Sequence, residues 1–316
     1  MLLTLWLKST TALSNRPASF AISTPAFTRP SRRTVTPMKI LLCNDDGIHA
    51  PGITSLYAAL LEPVNGKPLA TELMVVAPLT VQSATSHGIT FRQPLIVKQL
   101  AVSETMSGIA VDGRPADCVK LALSTLWPEQ FGAASKPDLV ISGMNMGANV
   151  GINVLYSGTV AAAIEAAFLG VPAIAVSLHH GTGSPDYAEA ARQACLAIEK
   201  LLAAKILEPH GCLSINIPRT DRTTDGTPGR RPMPPVTMCA MNSHGMIDKY
   251  QRNTNPLGEL YFWASGEPLD FHVTEPGTDV HLIWENHITV TPLKYDLTDY
   301  QALDRWRAAM ESQTQT

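Results

Sequence analysis

The chain lacks acids altogether until Asp45, and it has few cysteines, no excess of basic charge and no long apolar run. No stretch reaches the roughly 18 apolar residues that a membrane helix needs, so no span is expected. Twenty-four basic residues stand against 27 acidic ones, a net charge of −3. That balance offers no basic face for nucleic acid. The cysteines, Cys43, Cys118, Cys195, Cys212 and Cys239, are odd in number and form no Cys-x-x-Cys pair. A disulfide framework and a zinc knuckle are both disfavoured. Aliphatic neighbours mark most of them as buried apolar thiols of a reducing compartment, the cytoplasm.

Residues 1–37 differ in kind, with five basic residues, no acid and much Ser, Thr and Pro. Such a segment reads as an organellar transit peptide or as an extension upstream of a start at Met38. Either way it is expected to be disordered and outside the fold. Without its five cations, 19 basic residues face 27 acidic ones, and the remainder carries −8.

From Met38 onward, apolar strand-like runs alternate with helical patterns. Strands are expected at 39–44, 72–78, 137–143, 172–178 and 212–218. Helices are expected at 53–63, at 116–127 (stopped by Pro128), at 159–170 and at 186–204. Strands joined through helices imply a mainly parallel sheet covered on both faces, a Rossmann-like α/β domain over 38–218. Ligands of such sheets sit at the strands' carboxyl ends, here the loops after 44, 78 and 143. Residues 219–235 are polar and rich in Pro and Gly, a surface loop or boundary. Beyond it, 219–316 has β character and a closing helix at 296–310. One hairpin is expected to turn at Asn255-Pro256-Leu257-Gly258. A lone hairpin is marginal in water, and this one carries Tyr250, Leu260, Tyr261, Phe262 and Trp263. It is therefore expected to pack on a partner subunit.

The strand ends terminate in oxygen donors. Asp45 and Asp46 end the first, and Ser83 and Asn145 follow the second and third. Two adjacent carboxylates at the end of a buried strand repel each other and lose hydration. Joined by a hydroxyl and an amide carbonyl, they make an oxygen-ligand site for Mg2+ or Mn2+. Ser157, Gly158 and Thr159 begin a helix after a glycine-rich loop. Taken alone, plain N-capping is the better account of Ser157 or Thr159, but free N–H groups and the helix dipole also suit an anion, and Asn145 at the head of the same loop favours a phosphate pocket. A cation beside an anion cradle implies hydrolysis of a phosphate ester, with Asp45 or Asp46 as proton acceptor.

The blocks "MKILLCNDDGIHAPGI", "VVAPLTVQSATSHGIT", "GRPADCVKLAL", "PDLVISGMNMGANVG", "YSGTVAAAIEAAFLGVPAIAVSL" and "LSINIPR" stand in this order. In that order the chain resembles the survival protein E (SurE) family over residues 38 to about 300. The resemblance implies a metal-dependent phosphatase of nucleoside 5′- or 3′-monophosphates, extending to other phosphate esters or short polyphosphate. It implies one divalent ion per subunit, Mg2+ or Mn2+, held by Asp45, Asp46, Ser83 and Asn145. Asn149, Ser157, Gly158 and Thr159 are implied to hold the phosphate. It also implies a swapped dimerisation segment and a homodimer or homotetramer. His87 matches a frequent family residue and is expected to line the pocket. Leu79, Val81 and Arg114 depart from the family pattern without replacing a ligand, and put substrate preference in doubt. Arg92, Arg114 and the His179-His180 pair are read as surface or loop residues.

Other classes fit less well. A receiver-like, non-catalytic magnesium binder needs a later phosphoacceptor Asp and a Lys, where this chain offers Ser83 and Asn145. A dinucleotide binder needs its glycine motif after the first strand, and a haloacid-dehalogenase-type phosphatase needs Asp-x-Asp.

Overall fold

The computed structural model describes residues 38–63, 66–181, 183–221, 231–266 and 269–313. The expectations for residues 1–37, and for most of the loop at 219–235, lie outside the described residues.

The chain begins with β1 (Met38–Cys43), α1 (Pro51–Leu61), β2 (Ala70–Pro78), β3 (Val97–Ala101) and β4 (Ser107–Val111). One long helix follows in three pieces, α2 (Pro115–Leu121), a π turn over Ala122–Leu126, and α3 (Trp127–Phe131). Next come β5 (Leu139–Met146), α4 (Gly158–Phe168), β6 (Ala173–Leu178), α5 (Tyr187–Ala203) and β7 (Cys212–Ile217). The last part holds β8 (Val236–Met238), β9 (Tyr250–Thr254), β10 (Leu260–Ala264), α6 (Asp279–Trp284), β11 (Ile288–Leu293) and α7 (Tyr300–Gln313).

Nine strands form one sheet in the order β3-β4-β2-β1-β5-β6-β7-β11-β8. All neighbours run parallel except β3 with β4 and β11 with β7. The α/β expectation holds, with two adjustments. The C-terminal strands β8 and β11 continue the main sheet past residue 218, so only the β9–β10 hairpin stands apart as a small antiparallel sheet. The helix expected to stop at Pro128 runs on to Phe131. The π turn explains this: the Trp127 N–H reaches back to the Ala122 carbonyl, loosening the turn just where the proline ring would press on the preceding one. Gly132, at φ +102°, then ends the helix.

Both faces of the sheet are covered, which is why β6 and β7 are buried at every residue and are largely apolar, with Ser177, Ser214 and Asn216 as their polar exceptions. On one face Ile40, Leu42, Ile141, Ile174 and Val176 meet Ile53, Leu56 and Leu60 of α1 and Ile198 of α5. Burying each of these α1 side chains contributes about 1.5–3 kcal/mol. On the other face Leu41, Cys43, Val140 and Ala175 meet Val119 of α2 and Val160, Ala163 and Ala167 of α4. The small alanines of α4 let that helix lie close against the sheet.

The hairpin turns where expected. The Asn255 side-chain oxygen accepts the N–H groups of Leu257 and Glu259 at 3.0 and 2.9 Å, and Gly258 takes φ +84°. Its aromatic residues are exposed, with Trp263 at 65% and Phe262 at 56%. Among the described residues no helix is long and apolar enough to cross a membrane.

Candidate active site

The strand order reverses beside β1, with β2 and β4 on one side and β5, β6 and β7 on the other. A crevice opens outside the carboxyl ends of the strands at such a reversal. Asp45 and Asp46 leave β1 at this point, and Asn145 lies at the end of β5 next door.

Local contacts bring three segments together there. The Asn44 side chain donates to the Gly47 carbonyl at 2.8 Å and tightens the turn after β1. Gly47 has φ +92°, which a glycine adopts without strain. Beyond it the Ile48 N–H reaches the Pro78 carbonyl at 2.9 Å, and the Gln82 N–H reaches the Asp45 carbonyl at 2.8 Å. The loop carrying exposed Ser83 is thereby tied to Asp45. The Met146 N–H donates to the Asp46 carboxylate at 2.8 Å, tying in the end of β5. The loop that carries Ser83 and the end of β5 that carries Asn145 are thus each hydrogen-bonded directly to the Asp45-Asp46 pair.

Asp45 is nearly enclosed, at 4% exposure, while Asp46 is half-buried. The Thr159 N–H donates to one Asp45 oxygen at 3.1 Å, and the Thr159 hydroxyl makes a short hydrogen bond to the other. Burial pushes the Asp45 carboxyl up to about 6; the bonds from Thr159 oppose the rise and the charge of Asp46 adds to it. Burial raises Asp46 as well, against the Met146 N–H and the nearby charge of His180. Two carboxylates held this close, both with unfavourable ionisation, form a site that a divalent cation would stabilise. Among the described residues no group of three or more His, Cys, Asp or Glu side chains is arranged for a metal. The residues on these joined segments, two carboxylates with the hydroxyl of Ser83 and the amide of Asn145, are of the oxygen-donor kind that could hold a hard cation.

The residues expected to cradle phosphate divide. Gly158 begins α4 so close to Asp45 that a Cβ there would sit 3.0 Å from the Asp45 Cβ. Ser157 caps α4 by accepting the Val160 N–H at 3.1 Å, the capping role weighed for it. Thr159 directs both its donors to Asp45, so the anion at this helix N-terminus is the aspartate itself. The Asn149 side chain, 8% exposed, turns into the sheet and donates to the Ser177 hydroxyl at 2.8 Å.

His87 lies across α4. Its ring meets Glu165 at 2.8 Å, and Lys120 holds the other Glu165 oxygen at 2.7 Å. Burial pushes Glu165 up, but the bonds from His87 and Lys120 outweigh it and hold the carboxyl below its ordinary value. His87 and Glu165 line a groove of about 940 Å³ between α4 and the segment after β11, whose wall includes Phe168 and Tyr295. Arg114 is exposed as expected and caps α2. His179, expected in a solvated loop, is buried at 6% exposure and packs edge-on against Trp284 at 4.9 Å. Burial, with Arg219 nearby, holds its ring below the ordinary value. The correction has a simple cause: α6, which carries Trp284, gave no clear helical signal in the sequence.

Sequence reading also missed Tyr187, which opens α5. Burial raises its phenol, and the charge of Asp46 adds to the rise. Its position just after the loop that follows β6 was the available signal.

Comparison with known proteins agrees with this architecture. The family model described as Survival protein SurE matches residues 40–236. The chain is 41% identical over 278 residues to the 5′-nucleotidase SurE of Pelotomaculum thermopropionicum, covering 87% of this chain and 96% of that protein. It is 39% identical over 267 residues to the 5′-nucleotidase SurE of Syntrophobacter fumaroxidans, covering 84% and 97% respectively. The crystal structure of the SurE protein from Aquifex aeolicus superposes with a TM-score of 0.68 at 31% identity, over 86% of this chain and 99% of that one. Likeness that extends along both the sheet and its crevice makes the chain a member of the survival protein SurE family.

Proposed function

We propose that the protein is a metal-dependent phosphomonoesterase that hydrolyses nucleoside 5′-monophosphates, and by the same chemistry 3′-monophosphates, to nucleoside and phosphate. The observation that carries this reading is the Asp45-Asp46 pair at the sheet's reversal point, one carboxylate enclosed and the other half-buried, both pushed up by burial despite the hydrogen bonds they accept. Relatives at about 40% identity that bear the name 5′-nucleotidase support the substrate class.

In this reading Asp45, Asp46, Ser83 and Asn145 hold one Mg2+ or Mn2+. When bound, such an ion neutralises phosphoryl charge and acidifies water. Thr159 keeps Asp45 ionised and oriented through its N–H and hydroxyl. One carboxylate of the pair takes the proton of the attacking water. The phosphate lies against the wall that Gly158 begins, where the missing side chain lets α4 start in direct contact with Asp45 and Pro115, since a Cβ there would come within 3.0 and 3.1 Å of them. Ser157, Thr159 and Asn149 shape that wall from behind rather than from the front. Catalysis is then positioning and electrostatics. The exposed aromatic hairpin supports a homodimer or homotetramer in which a partner covers it. The cytoplasmic location expected from the thiols belongs to the same proposal.

The test is phosphate release from a panel of nucleoside monophosphates, first with EDTA and then with added Mn2+ or Mg2+. Release stopped by EDTA and restored by metal is expected. No release with either metal would refute the reading and favour a non-catalytic phosphate binder.

A further inference from the structure

Asn145, at the end of β5, heads the segment 145–151, which brings the Met146 N–H to Asp46 and, in the metal reading, supplies Asn145 as a ligand. A loop of this length between a strand and a helix has no intrinsic reason to hold one shape. Here it is fastened from beneath by two neighbouring strands.

Asn216, at the end of β7, is 1% exposed. Its side-chain oxygen accepts the Asn149 N–H at 2.8 Å, and its side-chain nitrogen donates to the Asn149 carbonyl at 3.1 Å. Both backbone groups of one loop residue are therefore gripped by one amide. The Asn149 side chain adds a third bond by donating to Ser177, itself fully buried on β6. The sheet register accounts for the arrangement, because Asn145, Ser177 and Asn216 are aligned across β5, β6 and β7. Ser177 and Asn216 project side by side on the face that α4 covers, and Asn149 seats over them. The Gly147 N–H completes the attachment through the Leu178 carbonyl at 3.0 Å.

The grip matters at the other end of the loop. The Asn145 side-chain nitrogen donates to the Gly147 carbonyl at 2.7 Å, which ties this amide to the loop's own backbone. The same segment supplies the Met146 N–H to Asp46. A shift of Asn149 would move Asn145 and Asp46 together.

We propose that Asn216 is a positioning residue of the metal crevice, fixing the 145–151 loop through Asn149, with Ser177 as its second anchor. The role rests on the metal reading given above. A buried polar group in mid-sheet needs its partners, and this amide spends both its hydrogen-bonding ends on a loop that carries a ligand.

The experiment measures Mn2+ binding to the full chain by titration calorimetry, alongside melting temperature without metal and kcat and KM for a nucleoside monophosphate. Asn216→Ala is expected to weaken Mn2+ binding about 10- to 100-fold. Ser177→Ala leaves the backbone grip in place and is expected to weaken it only about threefold, which keeps the test open if Asn216→Ala fails to fold. Ile198→Ala, a core truncation on the opposite face, serves as the stability control and should lower the melting temperature with Mn2+ binding unchanged. Wild-type Mn2+ affinity in Asn216→Ala, or in Ser177→Ala if only that variant folds, overturns the proposal. Equal weakening in Ile198→Ala does so as well, since it would reveal general softening. A wild-type protein that binds no Mn2+ overturns the metal reading itself, a result distinct from either.

Discussion

The crevice and the hairpin break the ordinary rule of burial in opposite directions. The crevice encloses Asp45 at 4% exposure with Asp46 beside it, whereas the β9–β10 hairpin leaves Tyr250 and Trp263 each at 65%. Buried charge costs free energy unless it is paired, and a cluster of exposed aromatics is unfavourable unless it is covered. Each region is therefore complete only with something bound. In the reading proposed above, the crevice takes a small cation and the hairpin a protein surface.

The contrast is open to direct attack. The largest effect is expected from Asp45→Asn, which removes a ligand charge and should lower kcat/KM at least about 10²-fold. Phosphate release at saturating Mn2+ measures it, and full activity would remove Asp45 from the metal site.

A second experiment follows the buried charge through pH without metal. The Asp45 carboxyl rises from 3.8 to about 6 in the folded chain. Between those values the folded state holds the proton more tightly than the unfolded one. Its contribution is thus fully present below the unfolded value and lost as pH rises through the folded one. The loss should be on the order of 2–3 kcal/mol. Urea midpoints in EDTA should show a fall from pH 4 to pH 7 that is smaller in Asp45→Asn and in the presence of Mn2+. An equal slope in all three would show that Asp45 carries no such strain.

The hairpin is tested from the other side. If the hairpin is an interface, deleting residues 248–263 should yield monomer or aggregate in light scattering. A native oligomer of unchanged mass would mean that its aromatics cover nothing.

The smallest effect concerns a charge that already has partners. Glu165 is held below its ordinary value by His87 and Lys120, so its stabilisation exists above the unfolded carboxyl value and is lost as pH falls through the folded one. Glu165→Gln should cost about 1 kcal/mol near pH 7. The cost should vanish in strong acid, as urea midpoints at the two pH values would reveal.

Much of this protein was legible along the chain. Apolar runs ending in Asp45, near Ser83 and at Asn145 marked β1, β2 and β5, and alternation with helices implied the parallel sheet. Strand β3 escaped notice because it is a mostly exposed edge strand with no apolar alternation, and β4 because its five residues SGIAV make too short an apolar run. The extension to Phe131 was hidden because a proline inside a helix is tolerated only when the turn before it loosens. The roles of Asn149 and Asn216 were illegible for another reason. An asparagine looks the same in sequence whether it faces a phosphate or a buried backbone.

The sequence by itself determined where the strands end and which oxygen donors stand there, because burial and periodicity are written residue by residue. Only the tertiary structure decided which way those side chains face. It turned Thr159 onto Asp45, Asn149 into the sheet and His87 toward Glu165, because orientation depends on strand order and register, and these join residues as far apart as Asp45 and Thr159.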